Sequence, residues 1–250
     1  SLDKVLDIFV RINSGGTQLS YSDLLLSIAS AEWQDRDARE EITSFVKELN
    51  AIGGGFNLNK DFVLKNCLVL TDKEIAFKVE NFNESTLRDI EISWLDITKA
   101  IKSAVVLVAS LGYQRDTLTS SNAIVPIAYY LKKIGSPENF HISRTFEDDR
   151  KNISKWLRMA LLKRTFSGQP DNVLRPMRDV LRDADNNFPL EEIFDKFKGT
   201  SKALSFDDDE LMNLTSYEYG EAYTYSALAF LYPSLDFRNR FHLDHIYPKW

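Results

Sequence analysis

Residues 120–135 read "SSNAIVPIAYYLKKIG". Two serines and an asparagine lead into the apolar run AIVPIAYYL and Gly135 closes it, which is the pattern of a capped helix. Pro126 falls in or near the first turn, where its missing N–H is tolerated. With AVVLVA at residues 104–109, this run is among the longest uninterrupted apolar stretches of the chain. Both fall far short of the roughly 20 residues needed to cross a bilayer, so no membrane partner is expected.

Outward from this helix the period stays helical. Residues 86–111 set Leu87, Ile90, Trp94, Ile97, Ile101, Ala104, Val105 and Val108 at helical spacing, as one long helix or two in succession, closed by Gly112. Ile42, Phe45, Val46, Leu49 and Ile52 share another face, which Gly53 to Gly55 end, and a shorter helix is expected over residues 61–70. Ile75, Phe77 and Val79 alternate as a short strand would, in an otherwise helical neighbourhood. At the start, Leu2, Val5, Leu6 and Phe9 form one helix face that stops at NSGGT, and Ser20 reads as an N-cap with Asp23 three residues on. DRKNISKWLRMALLKRTF, VLRPMRDVLRDA, LEEIFDKF, DDDELMNLT and YTYSALAFLYP supply five further helices. The expected fold is mainly α, a multi-helix bundle of about ten helices in one or two layers.

Composition fits this picture. At 250 residues, roughly 70 to 75% of the unfolded surface can be buried. With 44% hydrophobic and 27% charged residues, the chain lies close to the globular average. A single cysteine, Cys67, excludes an intrachain disulfide and a four-cysteine zinc site, and it reads as a small buried hydrophobe on a helix face. Nothing at Ser1 resembles a signal segment, and the cytoplasm is the natural compartment.

The net charge of −6 argues against wholesale coating of nucleic acid, but the charge is uneven. Residues 150–182 hold nine Lys or Arg against two Asp, a segment charge of +7, which leaves −13 for the remainder. This segment is the candidate nucleic-acid-binding surface: Lys155, Arg158, Lys163, Arg164, Arg175 and Arg178, with Lys163, Arg164 and the following SGQPDN loop the best local candidates. The alternative is a set of solvated helix faces, or partners for the acidic remainder. Neither glycine cluster forms a P-loop, because no Gly-Lys-Ser/Thr follows. DDDE at residues 207–210 lacks calcium-loop spacing and suits a helix's first turn. Tyr217, Tyr219, Tyr223 and Tyr225 have spacings that suit base stacking or, as the blander reading, core and rim packing.

The chain closes on RFHLDHIYPKW, which gathers two of its three histidines around an aspartate. A carboxylate suits a divalent ion, and an imidazole with a pKa near 6.5 suits proton abstraction, although on spacing alone an exposed surface pair is the blander reading. LDHIYPK resembles the first strand and turn of the HNH (ββα-metal) nucleases. That resemblance makes Asp244 a metal ligand and His245 the general base, with His242 a helper or a bystander.

IFVRINSGGTQLSYSDLLLS, SSNAIVPIAYYL and DHIYPK, in that order, resemble the GmrSD-type modification-dependent restriction endonucleases, proteins of phage defence. Those proteins carry a ParB-like nucleotide-handling domain first, a helical region, and an HNH nuclease last. The resemblance implies a tail of the ParB-like domain at residues 1–19, a central helical domain at 20–235 and the start of the HNH domain at 236–250. It further implies DNA, modified or not, as partner, and a divalent metal (Mg or similar) and a nucleotide as cofactors of the intact protein, with neither bound by this chain alone. No Asp-Gly-Gln-Gln-Arg motif occurs and the HNH part is cut after its first strand, so this chain by itself is expected to be catalytically incomplete. Arg11 and Asn13 in RINSGG either face a pocket of the upstream domain or belong to a glycine turn between helices. A homodimer is left open, and a non-catalytic helical interaction module is the rival reading.

Overall fold

The computed structural model describes residues 20–185, 187–214, 216–218 and 221–232. Eleven α-helices and no strand occur among the described residues. They are α1 Tyr21–Glu32, α2 Ala38–Asn50, α3 Lys60–Leu70, α4 Glu84–Ile92, α5 Trp94–Ser110, α6 Ile124–Lys133, α7 Glu147–Leu162, α8 Asp171–Asp183, α9 Leu190–Phe197, α10 Asp208–Leu214 and α11 Ala222–Leu231. The expected mainly helical fold is therefore present. The HNH start at 236–250 and the segment 1–19 lie outside the described residues.

Helix α6, the core of the opening stretch, is the hub. Every residue from Ile124 to Leu131 is buried, because α3, α5 and α8 pack around it. A helix that is apolar on all sides is stable only in such a position. No serine side chain caps it. The chain enters through a 3-10 turn, Ser121–Ala123, and Pro126 sits in the first turn, where no intrahelical donor is lost. At the far end Gly135 adopts φ +79, its N–H reaches Lys132 O at 3.0 Å, and Ser136 N–H reaches Leu131 O at 2.7 Å. This is a Schellman ending.

Polar side chains at the helix starts fix where the outer helices begin. Ser20 Oγ accepts from Asp23 N–H at 3.2 Å and the Asp23 carboxylate accepts from Ser20 N–H at 3.3 Å, the reciprocal box expected from the sequence. Asp37, Asn59 and Asn83 cap α2, α3 and α4 with the simpler half of that box, each side chain accepting from a backbone N–H of the first turn. Residues 86–111 resolve into two helices that meet at Ser93. The two halves are held by different neighbours. Glu91 accepts from Gln34 N–H and Asp35 N–H at 2.9 and 2.8 Å, whereas the Trp94 indole donates to Glu41 at 2.8 Å and lies edge-on to Trp33 and Phe45.

The alternation Ile75, Phe77, Val79 makes no strand. No strand among the described residues takes its ladder bonds, so the backbone turns into the 3-10 segment Val79–Asn81, and Lys65 Nζ and Asn81 Nδ2 satisfy the carbonyls of Ile75 and Ala76 at 2.9 and 2.6 Å. Ile75 is nonetheless buried and Phe77 packs between Tyr21 and Phe82. The turn after α2 uses Gly53 at φ +60, where a Cβ would stand 2.9 Å from the Ala109 methyl of α5. Cys67 is fully buried, and burial pushes its thiol up to about 12, an inert packing residue.

Candidate nucleic-acid interface

The basic segment begins on α7. Glu147, Asp148 and Asp149 occupy its first turn, where negative charge is favoured. Asp149 is buried, accepts from Phe188 N–H at 2.8 Å and hydrogen-bonds Tyr130 of α6, which fixes the start of α7 on the hub. Along α7 the cations then go different ways. Arg150 donates to the carbonyls of Phe140 and Ser143, and Lys151 pairs with Glu147 at 2.8 Å. Lys155 is exposed, with its ammonium 5.5 Å from the centre of the Phe194 ring. Arg158 is half-buried between α7 and α11 beside Tyr113 and Tyr225, and burial lowers its pKa.

At the end of α7 the chain repeats the ending of α6. Arg164 N–H bonds to Leu161 O at 3.1 Å and Thr165 N–H to Ala160 O at 2.9 Å, but here the left-handed residue is Arg164, at φ +50. Lys163 turns inward, forming an ion pair with Glu210 of α10 and lying 5.3 Å from the Phe206 ring; this bond holds the Glu210 carboxyl below the usual range. Arg164 turns outward. It is exposed, forms no ion pair among the described residues, and carries its guanidinium 4.3 Å from the centre of the Tyr223 ring. Tyr223 in turn stacks with Tyr217 at 5.8 Å and 22°.

On α8 the cations face acids. Arg175 pairs with Glu74. Arg178, only 9% exposed, donates to Lys73 O at 2.5 Å and stands 3.8 Å from Asp72, while Arg182 stands 2.8 Å from Asp179 and 3.9 Å from Asp72. Asp72 also accepts from the Tyr129 hydroxyl at 2.9 Å, and burial together with this carboxylate raises the pKa of that hydroxyl. Asp72 occupies the third Schellman ending, after α3, at φ +56. It therefore joins α3, α6 and α8, a role that linear sequence does not signal.

Of the six cations expected to contact nucleic acid, Lys163, Arg175 and Arg178 are thus tied to acids or carbonyls of the fold, and Arg158 is half-buried. Lys155 and Arg164 present their charge at the surface over aromatic rings. Near the latter, Lys202 Nζ donates to Ser167 O at 2.9 Å. Tyr217 and Tyr223 are half-buried rim residues, and their pairing with Arg164 joins positions far apart in sequence. DDDE starts α10 as expected, with Glu210 N–H bonded to Asp207 Oδ1 at 2.8 Å.

His245, Asp244, His242, Arg11 and Asn13 lie outside the described residues. Among the described residues no group of three or more His, Cys, Asp or Glu is arranged to hold a metal ion, and no helix is long and apolar enough to cross a membrane. In comparisons with known proteins, no family model matches the chain and no curated protein matches it.

Proposed function

We propose that this chain is the central helical region of a GmrSD-like DNA restriction protein, which positions DNA and couples a nucleotide-handling domain to a metal-dependent HNH endonuclease. The observation that carries the proposal is the ordered set IFVRINSGGTQLSYSDLLLS, SSNAIVPIAYYL and DHIYPK. The all-helical body and the outward-facing Lys155 and Arg164 support it.

In the intact protein Asp244 would hold a divalent ion, which supplies positive charge against the scissile phosphate, and His245 would accept the proton of the attacking water. The test is cleavage of a susceptible DNA by the intact protein. His245→Ala should abolish cleavage with binding retained, and cleavage by that variant removes His245 from the assignment.

A second reading, a non-catalytic helical module that binds a protein partner, has its own observation. Ile92 and Leu95, at the corner of α4 and α5, are 75% and 64% exposed. Ile92 lines a cleft of about 280 Å3 together with Leu70, Thr71, Asp72, Asp89, Ser93 and Lys132. Much of the +7 of the basic segment is also neutralised within the fold. A salt series of DNA binding separates the readings: absence of binding at low salt favours the protein partner.

A further inference from the structure

We propose that Arg164, Tyr223 and Tyr217 form a stacking platform for an unpaired nucleobase of single-stranded DNA. The inference rests on the reading that this chain handles DNA, and it names the form of DNA and the residues that meet it.

The geometry begins with the guanidinium. Arg164 lies over Tyr223 at 4.3 Å and is exposed to solvent, so the guanidinium still offers surface to an incoming planar group. Tyr223 is itself offset-stacked with Tyr217, the rings tilted by only 22°. A base that settles on Arg164 joins flat groups that already lie against one another, Arg164 on Tyr223 and Tyr223 on Tyr217. Bases stack on guanidinium planes as they do on aromatic rings. The platform is held from behind. Tyr217 packs against the small apolar cluster of Leu162, Leu214 and Ala227, and Thr224 Oγ1 donates to Glu218 O at 2.6 Å.

Charge decides between a base and a duplex. Exposed carboxylates neighbour the platform: Asp207, Asp208 and Asp209 at the start of α10, next to Glu210 that pairs with Lys163, and Glu218 and Glu221 in the segment between Tyr217 and Tyr223. Against these acids stand Arg164, which forms no ion pair among the described residues, and Lys202, which donates to Ser167 O. A duplex laid here would bring many phosphates against those acids, whereas one unpaired base needs only its π face and one or two neighbouring phosphates. Binding should therefore depend weakly on salt, with a log–log slope of roughly −0.7 per phosphate contacted.

The left-handed backbone at Arg164 supplies a clean variant. Glycine suits φ +50, so Arg164→Gly removes the guanidinium without straining the fold. The experiment is fluorescence anisotropy of the 250-residue chain with a labelled single-stranded oligonucleotide, the same oligonucleotide carrying central abasic sites, and its duplex. Arg164→Gly and Tyr223→Ala should each weaken single-strand binding between about five- and a hundredfold, the range for losing one base stack. Tyr223→Phe should restore binding, and the abasic oligonucleotide should bind as poorly as the variants.

If the chain binds DNA but Arg164→Gly and Tyr223→Ala stay within twofold of wild type, or if the duplex binds more tightly than the single strand, the platform is wrong while the DNA-handling reading stands. If the chain binds neither form at low salt, the DNA-handling reading fails and the platform fails with it.

Discussion

Helices α6 and α7 end in the same hydrogen-bonded turn with opposite residues in it. After α6 the left-handed position holds Gly135, whose missing Cβ would meet nothing within 4 Å; after α7 it holds Arg164. An L-residue held left-handed costs about 1 to 2 kcal/mol. The α6 end therefore follows the cheapest backbone solution, and the α7 end departs from it to keep a long cationic side chain at the surface. The end of α3, with Asp72 in the same position, departs likewise, and there the carboxylate joins three helices. A charged residue in a glycine's place marks where a side chain matters more than backbone ease.

The most severe way to test this contrast is to strike the two helices themselves. Ile127 of α6 is fully buried within the hub, and Ile127→Ala should lower stability by about 2 to 5 kcal/mol, since the surrounding helices cannot collapse onto the vacated volume. Lys155→Ala on the exposed side of α7, which loses only the contact over the Phe194 ring, should cost no more than about 0.5 to 1 kcal/mol. Urea unfolding of both variants checks the pair. Similar losses at the two sites would show that α6 is not the hub.

Alkaline pH is the next test, because buried phenols line both helices. Burial raises the hydroxyls of Tyr129 and Tyr130 on α6, and those of Tyr113 and Tyr225 beside Arg158 on α7. Tyr113, fully buried and 3.3 Å from Ser226 Oγ, is pushed up to about 12. A phenol whose folded pKa exceeds its unfolded value contributes its stability in full below about pH 10, and loses it as pH rises through the folded value. As pH rises from 10 through that folded value, Tyr113 alone should remove on the order of 2 kcal/mol. Urea midpoints measured at pH 8, 10 and 11 should fall steeply above pH 10, and Tyr113→Phe should flatten that fall. An unchanged slope would mean that the hydroxyl reaches water.

Much of the helical body was legible in the sequence, for identifiable reasons. Apolar spacing at Leu87 to Val108 and the Ser20 and Asp23 box are local patterns, and local patterns survive into the fold. The Ile75 to Val79 alternation was locally ambiguous, strand-like in period but set among helices, and it is no strand because a strand needs a partner and none lies beside it among the described residues. The break at Ser93 depends on Glu91 and Trp94 finding different neighbours more than 50 residues away. The candidate interface was less legible still. Composition marks a basic segment, but whether a cation faces water or an acid depends on what the fold brings opposite it: Glu210 for Lys163, Glu74 for Arg175, Tyr223 for Arg164.

A smaller effect separates the two helix ends directly. Gly135→Ala should cost about 1 kcal/mol from backbone conformation alone, since a Cβ there meets open space. A thermal melt that does not move would show the turn relaxing away from φ +79 at no cost.

The finest test is the reverse exchange, Arg164→Gly. Relief of the left-handed backbone should gain about 1 kcal/mol, and loss of the guanidinium over Tyr223 should remove about 0.5 to 1 kcal/mol. The single variant should therefore lie within about 0.5 kcal/mol of wild type, where it says little by itself. The two contributions separate in a Tyr223→Ala background, where the stacking contact is already gone and Arg164→Gly should stabilise by the full backbone amount. The difference between the two backgrounds is the coupling energy of the Arg164 and Tyr223 pair, about 0.5 to 1 kcal/mol. A coupling near zero would mean that the guanidinium gains nothing from the ring, and the reason for an arginine in a glycine's place would then have to lie wholly in what it binds.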